Sequence, residues 1–143
     1  MSSLPGPARG HTRDAGWQIG VSKTVDHPLE KVWDFLTSPA GTAIWLGHGA
    51  TLLEEKGAPY ETDDGTVGHT RSYRDLDKIR LTWRPASSDH DTIVQVALRP
   101  NGPRRTMLRF HQDRMADASE REEQRRHWQA VMACVVHALD HST

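Results

Sequence analysis

Four polar side chains invite a chemical reading: His69, Arg71 and Tyr73 in one extended run, and His111 in another. Histidine titrates near neutrality, so either ring suits a general base, with Arg71 and Tyr73 as further acid–base or anion-holding groups. No second group stands beside either histidine at a spacing that marks a catalytic device, so no catalytic residue is assigned. His137 and His141 are four apart, as two metal-binding imidazoles on one helix face would be, but no H-E-x-x-H and no cysteine pair accompanies them. Neither a metal nor a cofactor is expected. Cys134 is the lone cysteine, without a partner for an internal disulfide, and its place beside an apolar stripe suggests a half-buried, inert thiol. There is no G-x-G-x-x-G, P-loop or G-x-S-x-G, which leaves nucleotide, dinucleotide and acyl-hydrolase readings without support. Arg80, Arg84, Arg99, Arg104, Arg105 and Arg109 make a basic strand face, suited either to an acidic partner or to plain solvation over apolar stems.

These residues must be positioned by the elements around them. Trp17, Ile19, Val21 and Lys23 alternate with Gln18, Gly20, Ser22 and Thr24, the period of a strand. A helix follows over Leu29–Thr37, with Leu29, Val32, Trp33 and Leu36 on one face and Pro28 at its first position, capped by Asp26 or His27. Ser38–Pro39 opens a second helix that runs to Trp45–Leu46 and stops at Gly47. Both are too short to stand alone and must lean on a sheet. Ala50–Glu55 reads as a short strand, Lys56–Gly65 as a mobile acidic loop, and Thr66–Arg74, Ile79–Arg84, Thr92–Arg99 and Arg105–Gln112 as strands. Pro100–Pro103 is a hairpin turn. The capping box Ser119–Glu122 opens a last helix to about Asp140, with the apolar stripe Trp128, Val131, Met132, Val135, Val136 and Leu139. Strands grouped in sequence and closed by one long helix imply an α+β domain with an antiparallel sheet.

The chain has 143 residues, enough for one domain with a sizeable core. Residues 1–16, rich in Pro, Gly, Arg and Ser, read as a flexible tail, and 17–143 as the domain. A net charge of −1 offers no field for nucleic acid or anionic membrane, and no run is long enough for a membrane span. Without a secretory h-region or a disulfide, a cytoplasmic location is the expectation, as monomer or homodimer.

VDHPLEKVWDFLTSPAGTAIWLG (Val25–Gly47), RLTW (Arg80–Trp83), TMLRFH (Thr106–His111) and Trp128 on the last helix resemble the START-like, Bet v 1-like (SRPBCC) superfamily, in the branch named for homology to the activator of heat shock protein 90 ATPase. The resemblance covers Trp17–Leu139. It implies a helix-grip fold: a curved antiparallel sheet of six or seven strands around the C-terminal helix, two short helices after the first strand, and a hydrophobic cavity between sheet and helix. By alternation and resemblance, the cavity walls come from Trp33, Ile44, Trp45, Leu81, Trp83, Val94, Val96, Leu108, Phe110, Trp128, Met132 and Val135, with Arg71 and Tyr73 as polar members if they point inward. Relatives carry more aliphatic residues along Thr66–Arg74, and many carry a glycine beside the tryptophan that this chain lacks. The implied function is binding of a hydrophobic or aromatic small molecule, such as a lipid or polyketide, for transport, sequestration or resistance. A cyclase or dehydratase using at least two of His69, Arg71, Tyr73 and His111, and a co-chaperone-like interaction domain, are the alternatives.

Overall fold

A computed structural model describes residues 11–12 and 16–142. The expected tail therefore lies outside the described residues, apart from Gly16 and His11–Thr12, which form a short strand β1 paired with the start of β2 (Gly16–Val25). Two helices follow, α1 (Leu29–Thr37) and α2 (Pro39–Trp45), then β3 (Pro59–Glu61), β4 (Val67–Arg74), β5 (Lys78–Trp83), β6 (Thr92–Pro100), β7 (Thr106–Met115) and α3 (Ala118–Asp140). The seven strands form one antiparallel sheet in the order β1-β2-β7-β6-β5-β4-β3. Its apolar face packs on α3, as the helix-grip reading requires.

The helix pair is built on one carbonyl. Ser38 ends α1 through its N–H to the Phe35 carbonyl at 3.1 Å and caps α2 by accepting from the Gly41 N–H at 3.1 Å. The Leu36 carbonyl, left without a helical partner, receives the Trp45 indole N–H at 2.8 Å and the Thr42 hydroxyl at 3.2 Å. Gly47 closes α2 at φ +136°, where a side chain would be strained, and donates to the Thr42 carbonyl at 3.0 Å. Asp26 and His27 do not cap α1; Pro28 occupies the cap position with extended backbone and no side-chain bond. His27 instead meets Asp140 at 2.7 Å, tying α1 to the end of α3.

Three local expectations are corrected. Ala50–Glu55 is not a strand, because the edge of β4 is taken by β3, inside the expected loop. Tyr60 decides this: its ring is buried and its hydroxyl donates to the Thr82 carbonyl at 2.6 Å, which anchors β3. The cap of α3 is Asp117, two residues before Ser119; it accepts from the Glu120 N–H at 2.8 Å while Glu120 reaches back to the Ala116 N–H at 2.6 Å. Cys134 is exposed rather than half-buried.

Candidate functional site

The interior is aromatic, and α3 fills it from one side. Trp128 stacks on Phe110 with ring centroids 5.1 Å apart and lies tilted against Trp83 at 6.5 Å. Leu81, Val94, Val96 and Leu108 line the same sheet face, all buried, with Met132 and Val135 above them on α3. Near the middle sits Gln112, 0% exposed. Its side-chain oxygen accepts from the Trp128 indole at 2.8 Å, and its amide donates to Thr92 Oγ1 at 2.9 Å, whose hydroxyl donates to the Trp83 carbonyl at 3.0 Å. Every polar atom in this chain of contacts is used, which makes this half of the space between sheet and helix a packed core. The sequence reading passed over Gln112, although it is the next inward position after Leu108 and Phe110.

The other half lies under α1 and α2. Trp33 and Trp45 are buried, and Ile44 is half-buried on α2. Trp33 meets the half-buried Tyr73 edge to face, with centroids 5.7 Å apart. Burial first, then the charges of Glu54 and Asp75, raise the Tyr73 pKa, so its hydroxyl stays a neutral donor. The connection between α2 and β3 carries Ala50 and Leu52 half-buried and Leu53 exposed. Its ties to the sheet run through Thr70, whose hydroxyl donates to the Leu53 carbonyl at 2.8 Å and whose backbone meets Gly57 at 2.7 Å and Ala58 at 2.9 Å.

The four polar candidates do not meet. Arg71 sits at a register shift between Thr70 and Ser72, an extra residue of β4, and is exposed, so it is not part of the aromatic interior. His69 lies on the outer face, its Nδ1 3.2 Å from Thr82 Oγ1. His111 also faces outward, alternating with buried Phe110; its Nε2 donates to Gln18 Oε1 at 3.0 Å, and burial, then Arg109, lower its pKa. Tyr73 alone of the four reaches the interior, so the pair of inward acid–base groups that a cyclase or dehydratase needs is not assembled.

Among the described residues, five concavities of about 240 to 730 Å³ are lined by residues other than the fourteen named as walls, save Arg71 in one of about 270 Å³. The largest of these, about 730 Å³, lies between α3 and the part of β2 beyond its pairing with β1, lined among others by Gln18, Gly20, Arg109, His111 and Arg121. No group of three or more metal-binding side chains occurs among the described residues, and none of their helices is long and apolar enough to cross a membrane.

Similar folds occur in known structures. DynU16, a protein in the dynemicin biosynthetic locus, matches with a TM-score of 0.75 and 20% identity over 87% of this chain; the chain spans about half the length of DynU16, 47%. Protein MLL2253 from Mesorhizobium loti matches with a TM-score of 0.73 and 21% identity over 88% of this chain and 98% of its own. An HSP90 activator from Plasmodium falciparum matches with a TM-score of 0.60 and 16% identity over 76% of this chain and 86% of its own. No protein of curated function matches the sequence. Residues 26–139 match the family model described as Activator of Hsp90 ATPase homolog 1-like protein, and with the helix-grip architecture on the page the chain belongs to that family.

Proposed function

We propose that the protein binds a hydrophobic or aromatic small molecule between the sheet and α3, at the end closed by α1, α2 and the connection 46–58. The observation that carries this is the distribution of half-buried apolar groups. Ile44 on α2, Ala50 and Leu52 on the connection, Tyr73 on β4 and Leu76 in the β4–β5 turn belong to the elements at this end, where Tyr73 meets Trp33; Trp17 and Val21 on β2, Leu29 and Phe35 on α1 and Val136 on α3 are the other half-buried apolar groups packed on the core. Partly wet apolar side chains gain by covering a ligand, whereas the fully satisfied Trp128–Gln112 end gains nothing. The connection is held by the bonds of Leu53, Gly57 and Ala58 to Thr70, of the His48 carbonyl to the Asp63 N–H and of Leu46 and Gly47 to Thr42, so lifting it leaves the strand ladders of the sheet intact. The neutral Tyr73 hydroxyl supplies a donor to orient a carbonyl or hydroxyl on the ligand. A protein of this fold from a biosynthetic locus supports a metabolite as the occupant.

The test is a fluorescence titration with N-phenyl-1-naphthylamine, a neutral aromatic probe. Saturable binding is expected, weakened about tenfold in Trp33→Leu, the size of one lost aromatic contact, and unchanged in Trp128→Phe. Absence of saturable binding, or equal loss in both variants, refutes the reading. The likeness to an HSP90 activator supports protein binding as a second reading, for which stimulation of the chaperone's ATPase by the purified chain is the deciding measurement.

A further inference from the structure

The arginine-rich face separates into groups once the chain is folded. Arg84 pairs with Asp91 at 3.8 Å and Arg105 with Asp26 at 2.9 Å. Arg99 and Arg104 are exposed at and beside the β6–β7 turn. Arg80 and Arg109 have no carboxylate within ion-pair distance among the described residues, and both line one concavity of about 240 Å³ with His111, Gln95 and Asp113.

Strand pairing explains this grouping. Gly20, His111, Gln95 and Arg80 form one transverse row across β2, β7, β6 and β5 on the outer face, and Ser22, Arg109, Ala97 and Lys78 form the next. Gly20 and Ala97 leave these rows low, which makes a trough in a face that would otherwise be covered by side chains. Arg109 folds into that space: a Cβ at Gly20 would stand 2.6 Å from its guanidinium. The trough adjoins the cleft of about 730 Å³ along β2 and another of about 310 Å³ toward Lys78, and Arg109 lines all three. Arg121 borders the first, held by its Nε donating to the Gln18 carbonyl at 2.7 Å. Of the acids nearby, Glu122 is engaged by Arg125 and Asp77 by Arg74, whereas Asp113 lines the concavity of about 240 Å³ with Arg80 and Arg109, its Oδ1 buried without a hydrogen-bond partner among the described residues. The His111 ring, bonded to Gln18 through Nε2, keeps Nδ1 free as an acceptor, so the trough combines fixed cations with neutral donors and acceptors.

We propose that this outer face, centred on Arg109, binds a small organic anion. Its acidic group sits against the Arg109 guanidinium where that side chain folds over Gly20, in the cleft of about 730 Å³ that Asp113 does not line, and its carbon skeleton follows β2 toward Arg121. Guanidiniums hold carboxylate, sulfonate or phosphate oxygens by paired charge-assisted hydrogen bonds, and among the described residues Arg109 has no carboxylate within ion-pair distance. The site lies on the opposite face of the sheet from the Trp33–Tyr73 end and does not depend on that reading.

Two dyes with one skeleton test it. 8-Anilinonaphthalene-1-sulfonate carries the anion, and N-phenyl-1-naphthylamine lacks it. Arg109→Gln, an exposed substitution, is expected to raise the Kd of the sulfonate about tenfold and to leave the neutral dye unchanged. Gly20→Ala, which keeps every charge but displaces the Arg109 guanidinium, is expected to shift the sulfonate in the same direction by a smaller factor. A sulfonate affinity identical in wild type and Arg109→Gln overturns the proposal, as does a parallel loss of both dyes. Failure of the neutral dye alone bears only on the Trp33–Tyr73 end.

Discussion

The two ends of the grip are built from the same materials, tryptophans on a sheet beneath a helix, yet they are finished differently. At the Trp128 end the rings stack, and the buried Gln112 spends its oxygen on Trp128 and its amide on the equally buried Thr92. At the Trp33 end two rings meet edge to face under a connection without regular structure, and the surrounding apolar groups stay half-wet. One fold can thus hold a rigid core and an adaptable one side by side, because satisfying buried polar atoms locks geometry whereas half-buried apolar contacts can be exchanged for others.

The contrast can be broken by emptying the rigid end. Trp128→Ala is expected to cost about 3–5 kcal/mol, the range for deleting a buried aromatic, read as a fall in the urea midpoint without a change in slope. Gln112→Met keeps the volume but strands the Trp128 indole N–H, while the Thr92 hydroxyl keeps its bond to the Trp83 carbonyl, for about 2 kcal/mol; a loss under 0.5 kcal/mol would show that the relay contributes packing alone. At the adaptable end Thr70→Val removes one hydrogen bond to Leu53. About 1 kcal/mol is expected, with faster amide exchange confined to residues 50–58 and none around Gln112. Exchange rising at both ends would merge them into one cooperative unit and remove the distinction.

The smallest effect is a pH dependence at the rigid end. His90 places Nδ1 2.9 Å from Asp89 and Nε2 2.9 Å from Glu120, fastening the β5–β6 turn to the first turn of α3. Both ring nitrogens then face carboxylates, so the imidazolium is the form the fold prefers. Hydrogen bonds donated to Asp89 first and to Glu120 second raise the His90 pKa above 6.5. A raised folded-state pKa means that the fold binds the proton more tightly than the unfolded chain does. The stability gained is complete below pH 6.5 and is lost as pH climbs through the raised value. The gap between wild type and His90→Gln, about 0.5 kcal/mol for so exposed a pair, should therefore shrink on going from pH 6 to pH 9; a gap that widens instead rules the pairing out.

Much of this architecture was legible beforehand, and the residues show why. Leu29–Thr37 and the Ser38–Pro39 start were readable because caps and apolar spacing act within a single turn. The stripe from Trp128 to Leu139 and the alternation of Leu108 and Phe110 were readable for the same reason. The strand expected at Ala50–Glu55 failed because alternation says nothing about whether an edge is free, and Tyr60 had already claimed the edge of β4 for Pro59–Glu61. Arg71 was misplaced by a bulge, one residue that reverses the side on which its neighbours alternate. Of the residues expected as walls, Ile44 and Tyr73 are half-buried, Arg71 is exposed and the rest are buried, and their division into two ends was not legible in the sequence.

What the sequence determined by itself is the set of elements and the side each presents to the core, since helix and strand periods and their caps are short-range properties of the chain. What only the tertiary structure decided is which of those faces are filled and which remain adaptable. Gln112 is a core residue rather than a surface one because Trp128 and Thr92 reach it from 16 and 20 residues away. Arg80 and Arg109 line one concavity because β5, β6 and β7 register Arg80, Gln95 and His111 in one row, with Arg109 in the next. Both facts depend on contacts between segments distant in the chain, and no local pattern encodes the pairing of one polar atom with another across a sheet.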